Sequence, residues 1–246
     1  MKVIRFNLHQ DFANYRVFYD FQQAQTYPLP PFSTVNGMLH TLAGLKGYHD
    51  TKLFITGSAA GTTTDYQTKY EFGNGKTNIS KVGEGKRWLF KKNNTAFTFG
   101  PKHIQLLVDV NLTIYVQPQS REDFDAILAG LENPKVYPAL GRHEDDANIT
   151  DIKVIDLQTT KLTTEYKSNP YISTYMPLDI AKKTNIKLES GTKYNIHHHF
   201  TYQQVNKTAI RRAWTDIPVM YTSQYHVNPG ESINIDPETK QLVALI

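Results

Sequence analysis

Lys102 and His103 stand side by side at the start of a long alternating stretch. A lysine neutralises phosphate charge and an imidazole moves a proton near neutral pH, so the pair suits phosphate contact or metal-free cleavage of a phosphodiester. Simple phosphate contact asks less of the geometry and is the preferred reading. Lys86, Arg87 and Trp88 form a second group, in a stretch punctuated by Gly73-Asn74-Gly75-Lys76 and Gly83-Glu84-Gly85-Lys86. Paired turns in a hairpin would let these cations sit on phosphates while the indole lies against a base. A solvated charged loop is the alternative. Gly75-Lys76-Thr77 has the ending of a phosphate loop, but Tyr70 stands where the upstream glycine is required and no helix follows. A nucleotide-triphosphatase is therefore rejected.

Two further clusters carry metal-ligand chemistry in principle. Glu144-Asp145-Asp146 follows Gly141-Arg142-His143. Its carboxylates can bind magnesium, or they can cap backbone amides and pair with Arg142. A second acidic cluster is missing, which argues against a two-metal nuclease. His197-His198-His199 cannot point to one side of a strand, and no HExxH pattern exists, so exposed or core-edge histidines are expected rather than a metal site. No GxGxxG follows the first strand and no serine or cysteine triad is evident, so neither a cofactor nor a resident metal is expected.

The 246 residues suffice for one large domain or two small ones, and 39% hydrophobic with 20% charged residues is an ordinary globular composition. Cysteine is absent, which excludes disulfides and thiolate zinc. The first eight residues mix Lys2, Arg5 and Asn7 with apolar side chains and do not read as a signal peptide. No apolar run reaches the roughly 18 residues of a membrane span, so a cytoplasmic protein is the simplest expectation. Net charge is +4, a weak pointer to nucleic acid by itself. Its distribution is more informative: residues 59–102 hold Lys69, Lys76, Lys81, Lys86, Arg87, Lys91, Lys92 and Lys102 against Asp65, Glu71 and Glu84, so the positive excess sits in one segment.

The elements that must position these groups follow from periodicity. Residues 1–8 alternate as a strand, and a polar loop bearing tyrosines runs to Pro31. Ser33 or Thr34 is a good N-cap for a helix from about Val35 to Lys46, with Val35, Met38, Leu39, Leu42 and Leu45 as its buried stripe. Lys52–Thr56 reads as a short strand. Ile104 to Val116 is the clearest strand, its even-numbered positions all apolar. Ser120 can cap the next helix, whose stripe is Phe124, Ile127, Leu128 and Leu131. Ile152–Leu157 closes the series. The order strand, helix, strand, insertion, strand, helix, strand is that of an α+β ferredoxin-like domain, whose helices cover one sheet face and leave the other open. Residues 1–160 are read as this domain, with 59–102 as a long basic hairpin insertion. Residues 161–246 are read as a smaller β-rich C-terminal domain or an extension of the sheet.

Tyr27-Pro28-Leu29-Pro30-Pro31-Phe32-Ser33-Thr34-Val35-Asn36-Gly37-Met38-Leu39 resembles the helix start of the CRISPR-associated protein 5 family, and Leu140-Gly141-Arg142-His143-Glu144-Asp145 resembles that family's Leu-Gly-Arg-Ser-Glu-Asp loop. His143 replaces the usual serine. The resemblance covers residues 1–160 well and 161–246 loosely, and the style is most similar to the type I-B branch. It implies a RAMP-type, RRM-like fold and a subunit at one end of a type I Cascade complex. Such a subunit holds the 5′ handle of the guide RNA, abuts the large subunit and the first backbone subunit, and meets target DNA only through the assembled complex. The insertion corresponds in place to that family's thumb hairpin. The RNA-binding residues expected on this basis are Arg16, Ser33, Thr34, Lys86, Arg87, Trp88, Lys102, His103, Gly141, Arg142 and His143. One branch of the family cleaves precursor guide RNA without metal through a Tyr, Lys and His set. Lys102-His103 resembles its Lys-His pair, with Tyr48 offered for the tyrosine. A scaffold that makes protein contacts alone is the remaining alternative.

Overall fold

The computed structural model describes residues 1–20, 23–73, 88–92, 95–206 and 210–246; within 71–73, 88–92 and 95–98 it describes the backbone alone. Lys86 and Arg87, and the glycine-punctuated turns around them, fall outside the described residues. Four strands form the centre of a larger antiparallel sheet: β1 (Lys2–Ala13), β2 (Thr51–Gly73), β4 (Thr95–Pro118) and β5 (Asn148–Asp156), in the order β5-β1-β4-β2. β3 (Trp88–Lys92) pairs with the far end of β4. Helix α1 (Phe32–Ala43) follows β1, and α2 (Arg121–Glu132) follows β4.

The two helices cover one face. Ile4, Phe6 and Leu8 of β1, Leu53 and Ile55 of β2, and Leu112, Ile114 and Val116 of β4 meet Val35, Leu39 and Leu42 of α1 and Ile127 and Leu131 of α2 in one buried cluster. Period two in the strands and the i, i+4, i+7 spacing in α1 produce this match directly. Gly130 lets the helices approach: a Cβ there would lie 2.7 Å from the Leu42 carbonyl carbon and 2.8 Å from the Ala43 nitrogen.

α2 begins as expected, with Ser120 Oγ accepting from the Asp123 N–H at 3.0 Å. α1 does not. It starts at Phe32 with Pro31 in the N-cap position and no side-chain cap, so Ser33 and Thr34 lie inside its first turn. Pro31 has a φ of −56°, close to the helical value, and Phe32 stands three residues before Val35 on the same stripe, so burial of Phe32 draws the helix back past the two hydroxyls. Gly44 closes it at φ +69°.

The strands of the expected insertion are longer than the sequence pattern indicated. β2 and β4 stay paired from Thr51↔Pro118 to Gly73↔Ala96, whereas β1 accompanies β4 only as far as Ala13↔Leu107. Beyond that point the two strands run on as an arm of about 11 residues per strand, roughly 36 Å at ~3.3 Å per residue, with β3 added at its far end. Thr62-Thr63-Thr64 and Tyr66 favour extended backbone, although no alternation marks them because all four are exposed. The apolar phase of β4 also changes within the strand. Leu107 joins Val110 to Val116 in the helix-side core, while Ile104 and Leu106 pack separately with Ala24. The change falls at Asp109, whose φ is +51°.

The second face is the principal correction. An open platform was expected, but the C-terminal chain closes half of it. Val3, Phe54 and Tyr115 lie beneath Ile186, Tyr225, Val227, Ile233 and Leu242 to Ala244. Three of the C-terminal strands, β8 (Ser173–Pro177), β10 (Thr192–Gln204) and β11 (Ile210–Thr222), extend the same sheet in the order β10-β11-β8-β2. The short strands β6 (Gln158–Lys161), β7 (Tyr166–Lys167), β9 (Lys187–Leu188), β12 (Tyr225–Val227) and β13 (Ser232–Ile235), with helix α3 (Leu178–Lys183), build the covering layer. Its anchor is Arg5, 2% exposed, bonded to Asp236 (2.8 Å), Glu238 (2.8 Å) and Asp151 (3.2 Å), with the Tyr115 hydroxyl donating to Asp236 at 3.0 Å. What stays open is the upper half of this face, a polar groove lined by Asn7, His9, Thr56, Ser58, Asn111 and Thr113.

Candidate nucleic-acid interface

The loop after α2 is pinned to the end of β1. Gln10 donates to the carbonyls of Leu140 and Asp145, both at 2.9 Å, and the Tyr15 hydroxyl donates to Gln10 at 2.6 Å. Asp145, fully buried, accepts from the backbone N–H groups of Asn14 (2.9 Å) and Arg142 (3.0 Å). Gly141 has φ +106°, and a Cβ there would stand 2.8 Å from the Asn14 carbonyl oxygen, so only glycine passes this point without a shift.

Arg142 is not the open fork that the sequence suggested. Its Nη2 and Nε bond Asp145 at 2.6 and 3.1 Å, and Nη1 stands 2.9 Å from Glu144 in an ion pair without hydrogen-bond alignment. Burial would lower its pKa, but the carboxylates of Asp145 and Glu144, with Asp65 nearby, outweigh that and raise it. Of the two readings of the acidic triplet, capping and pairing is the one observed, and no group of three metal-ligating side chains occurs among the described residues. His143 beside it is exposed.

The influence of Asp65 places Arg142 at the root of the arm. Asp65 lies opposite Ile104, Tyr66 opposite His103 and Gln67 opposite Lys102. Asn14, held by Asp145, donates to the carbonyl of Gln105 at 2.7 Å, and Gln105 accepts from the Thr26 N–H at 3.1 Å. Arg16 bridges to Thr26 by its backbone and is exposed. The Gly141–His143 loop and the segment of Arg16 therefore form a patch at the root of the arm, and Lys102 and His103 lie just beyond it, neighbours on a strand whose side chains point to opposite faces. The exposed Tyr66 ring stands 5.2 Å from the His103 ring, edge to face. Farther out, Tyr70 lies against Phe99 at 6.0 Å.

Other expected residues lie elsewhere. Ser33 and Thr34 sit in the turn where Phe32 packs on Tyr175 and His198. Tyr48 stacks on His199 at 4.6 Å and donates to Asp50 at 3.0 Å. It precedes Thr51, which pairs with Pro118, 16 residues along β4 from Lys102. That is roughly 50 Å of strand at ~3.3 Å per residue, so Tyr48 is not brought together with Lys102 and His103. Trp88 is in β3, opposite Phe99, on the outer arm.

Sequence reasoning missed Gln10, Asn14 and Gln105, the polar residues that hold this patch together. Gln10 carried a signal: it occupies the next position in the register Ile4, Phe6, Leu8, where a buried amide must find partners. In the open groove, His9 donates towards Asn111 (3.1 Å) and Asp11 (3.2 Å), and these bonds raise its pKa.

A family model described as CRISPR-associated protein (Cas_Cas5) matches residues 3–223. No curated protein sequence matches the chain. Among solved structures, a chain from a CRISPR RNA-guided surveillance complex is similar at 15% identity over 91% of each chain, with a TM-score of 0.48. A CRISPR protein from Archaeoglobus fulgidus is similar at 10% identity over the whole of both chains, also with a TM-score of 0.48. Similarity of that extent says nothing about what this chain binds. No helix among the described residues is long and apolar enough to cross a membrane.

Proposed function

The chain belongs to the CRISPR-associated Cas5 family, and on that premise we propose that it is a subunit of a type I Cascade complex that binds the 5′ handle of the guide RNA. In this reading it caps the backbone, touches the large subunit and the first backbone subunit, reaches target DNA only through the assembly, and works in the cytoplasm. The observation that carries the reading is the family match across residues 3–223. The order β5-β1-β4-β2, with a helix after β1 and another after β4, supports a ferredoxin-like unit in residues 1–160. Residues 161–246 are then a β-rich region laid beside and over that unit. The arm fits the thumb hairpin, and the patch at its root fits a phosphate-binding surface.

The geometry supports a division of labour. Arg142, already forked onto Asp145, holds the loop, while Arg16, Lys102, His103 and His143 contact RNA from the surfaces around the root of the arm. Trp88, in β3 on the outer arm, is a further contact in this reading, as are Lys86 and Arg87, which precede it in the sequence. Ser33 and Thr34 contribute through the positive end of α1. Membership of the type I-B branch is part of this proposal, and with it binding rather than cutting.

Purified full-length chain titrated with labelled handle RNA and with a scrambled RNA of equal length tests this. Handle RNA should bind more tightly, and the dependence of log affinity on log salt should shrink by about 0.7 for each phosphate contact removed in Arg16→Ala or Lys102→Ala. Equal affinity for both RNAs, or none for either, overturns the proposal. The same mixture in EDTA reads the nuclease alternative, which the contact of Tyr66 with His103 beside Lys102 keeps in view. A single specific cut, lost in His103→Ala, would favour it.

A further inference from the structure

β10 and β11 make a second projecting ribbon that neither the arm nor its root explains. β11 pairs with β8 only over Val219–Thr222, so residues 210–218 pair with β10 alone. The ribbon is braced at its base, where Tyr48 stacks on His199 and Phe18 lies 4.5 Å from His197. A bulge between His197 and His199 buries His198 and turns His197 towards Trp214, whose ring it meets at 4.5 Å and 10°, while also contacting Asp216. Phe200, opposite Trp214 in register, meets it edge-on at 5.2 Å, and Arg212 lies over the Phe200 ring at 4.4 Å. Tyr202 stands beside Phe200 at 5.3 Å.

This row is built and yet open. Tyr202 is 70% exposed and Trp214 is 40% exposed. Rings so large on a strand pair are ordinarily covered by a partner. The charge says which kind: β10 and β11 carry Lys193, Arg211 and Arg212, all exposed, against one carboxylate, Asp216, which His197 already engages. A ring platform flanked by cations is the arrangement that takes bases on their faces and phosphates at the rim. An arginine flat on a ring keeps the edge donors of its guanidinium free for a phosphate.

We propose that the β10–β11 ribbon is a second single-stranded RNA contact, stacking one or two unpaired bases on Trp214 and Tyr202 with Arg212 on the adjoining phosphate. The inference rests on the RNA-binding reading above and adds a site separated from β4 by β8 and β2. Recognition here is by ring faces and backbone, so base identity matters little.

Trp88 and Trp214 are the chain's two tryptophans, so the difference in emission between the wild type and Trp214→Phe isolates the Trp214 signal while Trp88 is kept. Handle RNA extended by a short unpaired tract should quench that emission in the full-length chain, and Tyr202→Ala should weaken binding about five- to tenfold. Arg212→Gln should lower the salt dependence by about one phosphate contact. Tight RNA binding with unchanged Trp214 emission and unchanged affinity in Tyr202→Ala overturns the proposal and assigns the ribbon to a protein partner. Absence of any RNA binding removes the earlier reading and this one together, and wild-type anisotropy tells that case apart.

Discussion

The two faces of the sheet are buried by different physics. The helix side is closed by apolar area: Ile4, Phe6, Leu8, Leu53, Ile55 and Ile114 meet the stripes of α1 and α2. The opposite side is closed by the C-terminal chain, and at its centre is Arg5 with Asp236, neither appreciably exposed. Apolar contact is non-directional and tolerates small adjustments. A buried ion network is directional, costs desolvation on both sides, and holds only while every member is present. The first face therefore sets how tightly the sheet is covered. The second sets where residues 232–243 must sit, since Asp236, Glu238 and Tyr115 meet Arg5 in one register alone.

The largest expected effect separates the faces most sharply. Arg5→Ala leaves Asp236 buried without its counter-charge and should cost about 3–5 kcal/mol in chemical denaturation. The double replacement Arg5→Met with Asp236→Leu should recover much of that loss, because it removes the stranded charge rather than an attraction. If the single and double variants unfold at the same denaturant concentration, the network is not what fastens the second layer.

This contrast also explains what the sequence could reveal. The helix-covered face was legible because period two in β1 and β4 and the stripe of α1 repeat over many residues. Ser120 was legible as a cap because nothing competes with it. Ser33 and Thr34 looked equally suitable, but burial of Phe32 carried α1 past them. The second face was not legible. Arg5 and Asn7 alternate with Ile4, Phe6 and Leu8 as a solvent-facing row should, and the partners of Arg5 lie about 150 and 230 residues away, at Asp151, Asp236 and Glu238. The arm was visible as a charged hairpin, but the length of its strands was not, since alternation needs a core to alternate against. At the candidate interface, Gly141 and the pairing of the acidic triplet with Arg142 were foreseeable from local chemistry. That Arg142 meets the root of the arm, and that Tyr48 does not, depends on where β2 and β4 cross the sheet, which no local pattern encodes.

A smaller effect tests the apolar face. Gly130→Ala places a methyl group 2.7 Å from the backbone of Leu42 and forces α1 and α2 apart. Helix propensity gained in α2 offsets up to about 1 kcal/mol. The net loss should be about 1–2 kcal/mol, measured as a shift in denaturation midpoint with the slope unchanged. A gain in stability would mean that the helices separate freely, and that the close crossing is not what seals this side.

The smallest effect is in pH, and it belongs to the second face alone. Burial by itself would raise the Asp236 carboxyl, but Arg5, the Glu238 amide and the hydroxyls of Thr239 and Tyr115 override it and hold the group below its ordinary value. Because the folded pKa is the lower one, the stabilisation is complete above the unfolded value of about 3.9 and is lost as the pH falls through the folded pKa. Denaturation midpoints followed from neutral pH to about pH 3 should therefore decline at the acid end, and Asp236→Asn, although less stable throughout, should decline less steeply. Gly130→Ala leaves Arg5 and Asp236 in place, so it should track the wild-type curve at a constant offset. Parallel curves for Asp236→Asn and the wild type would show that protons do not act on the second face through this group, and would reduce the difference between the two faces to packing.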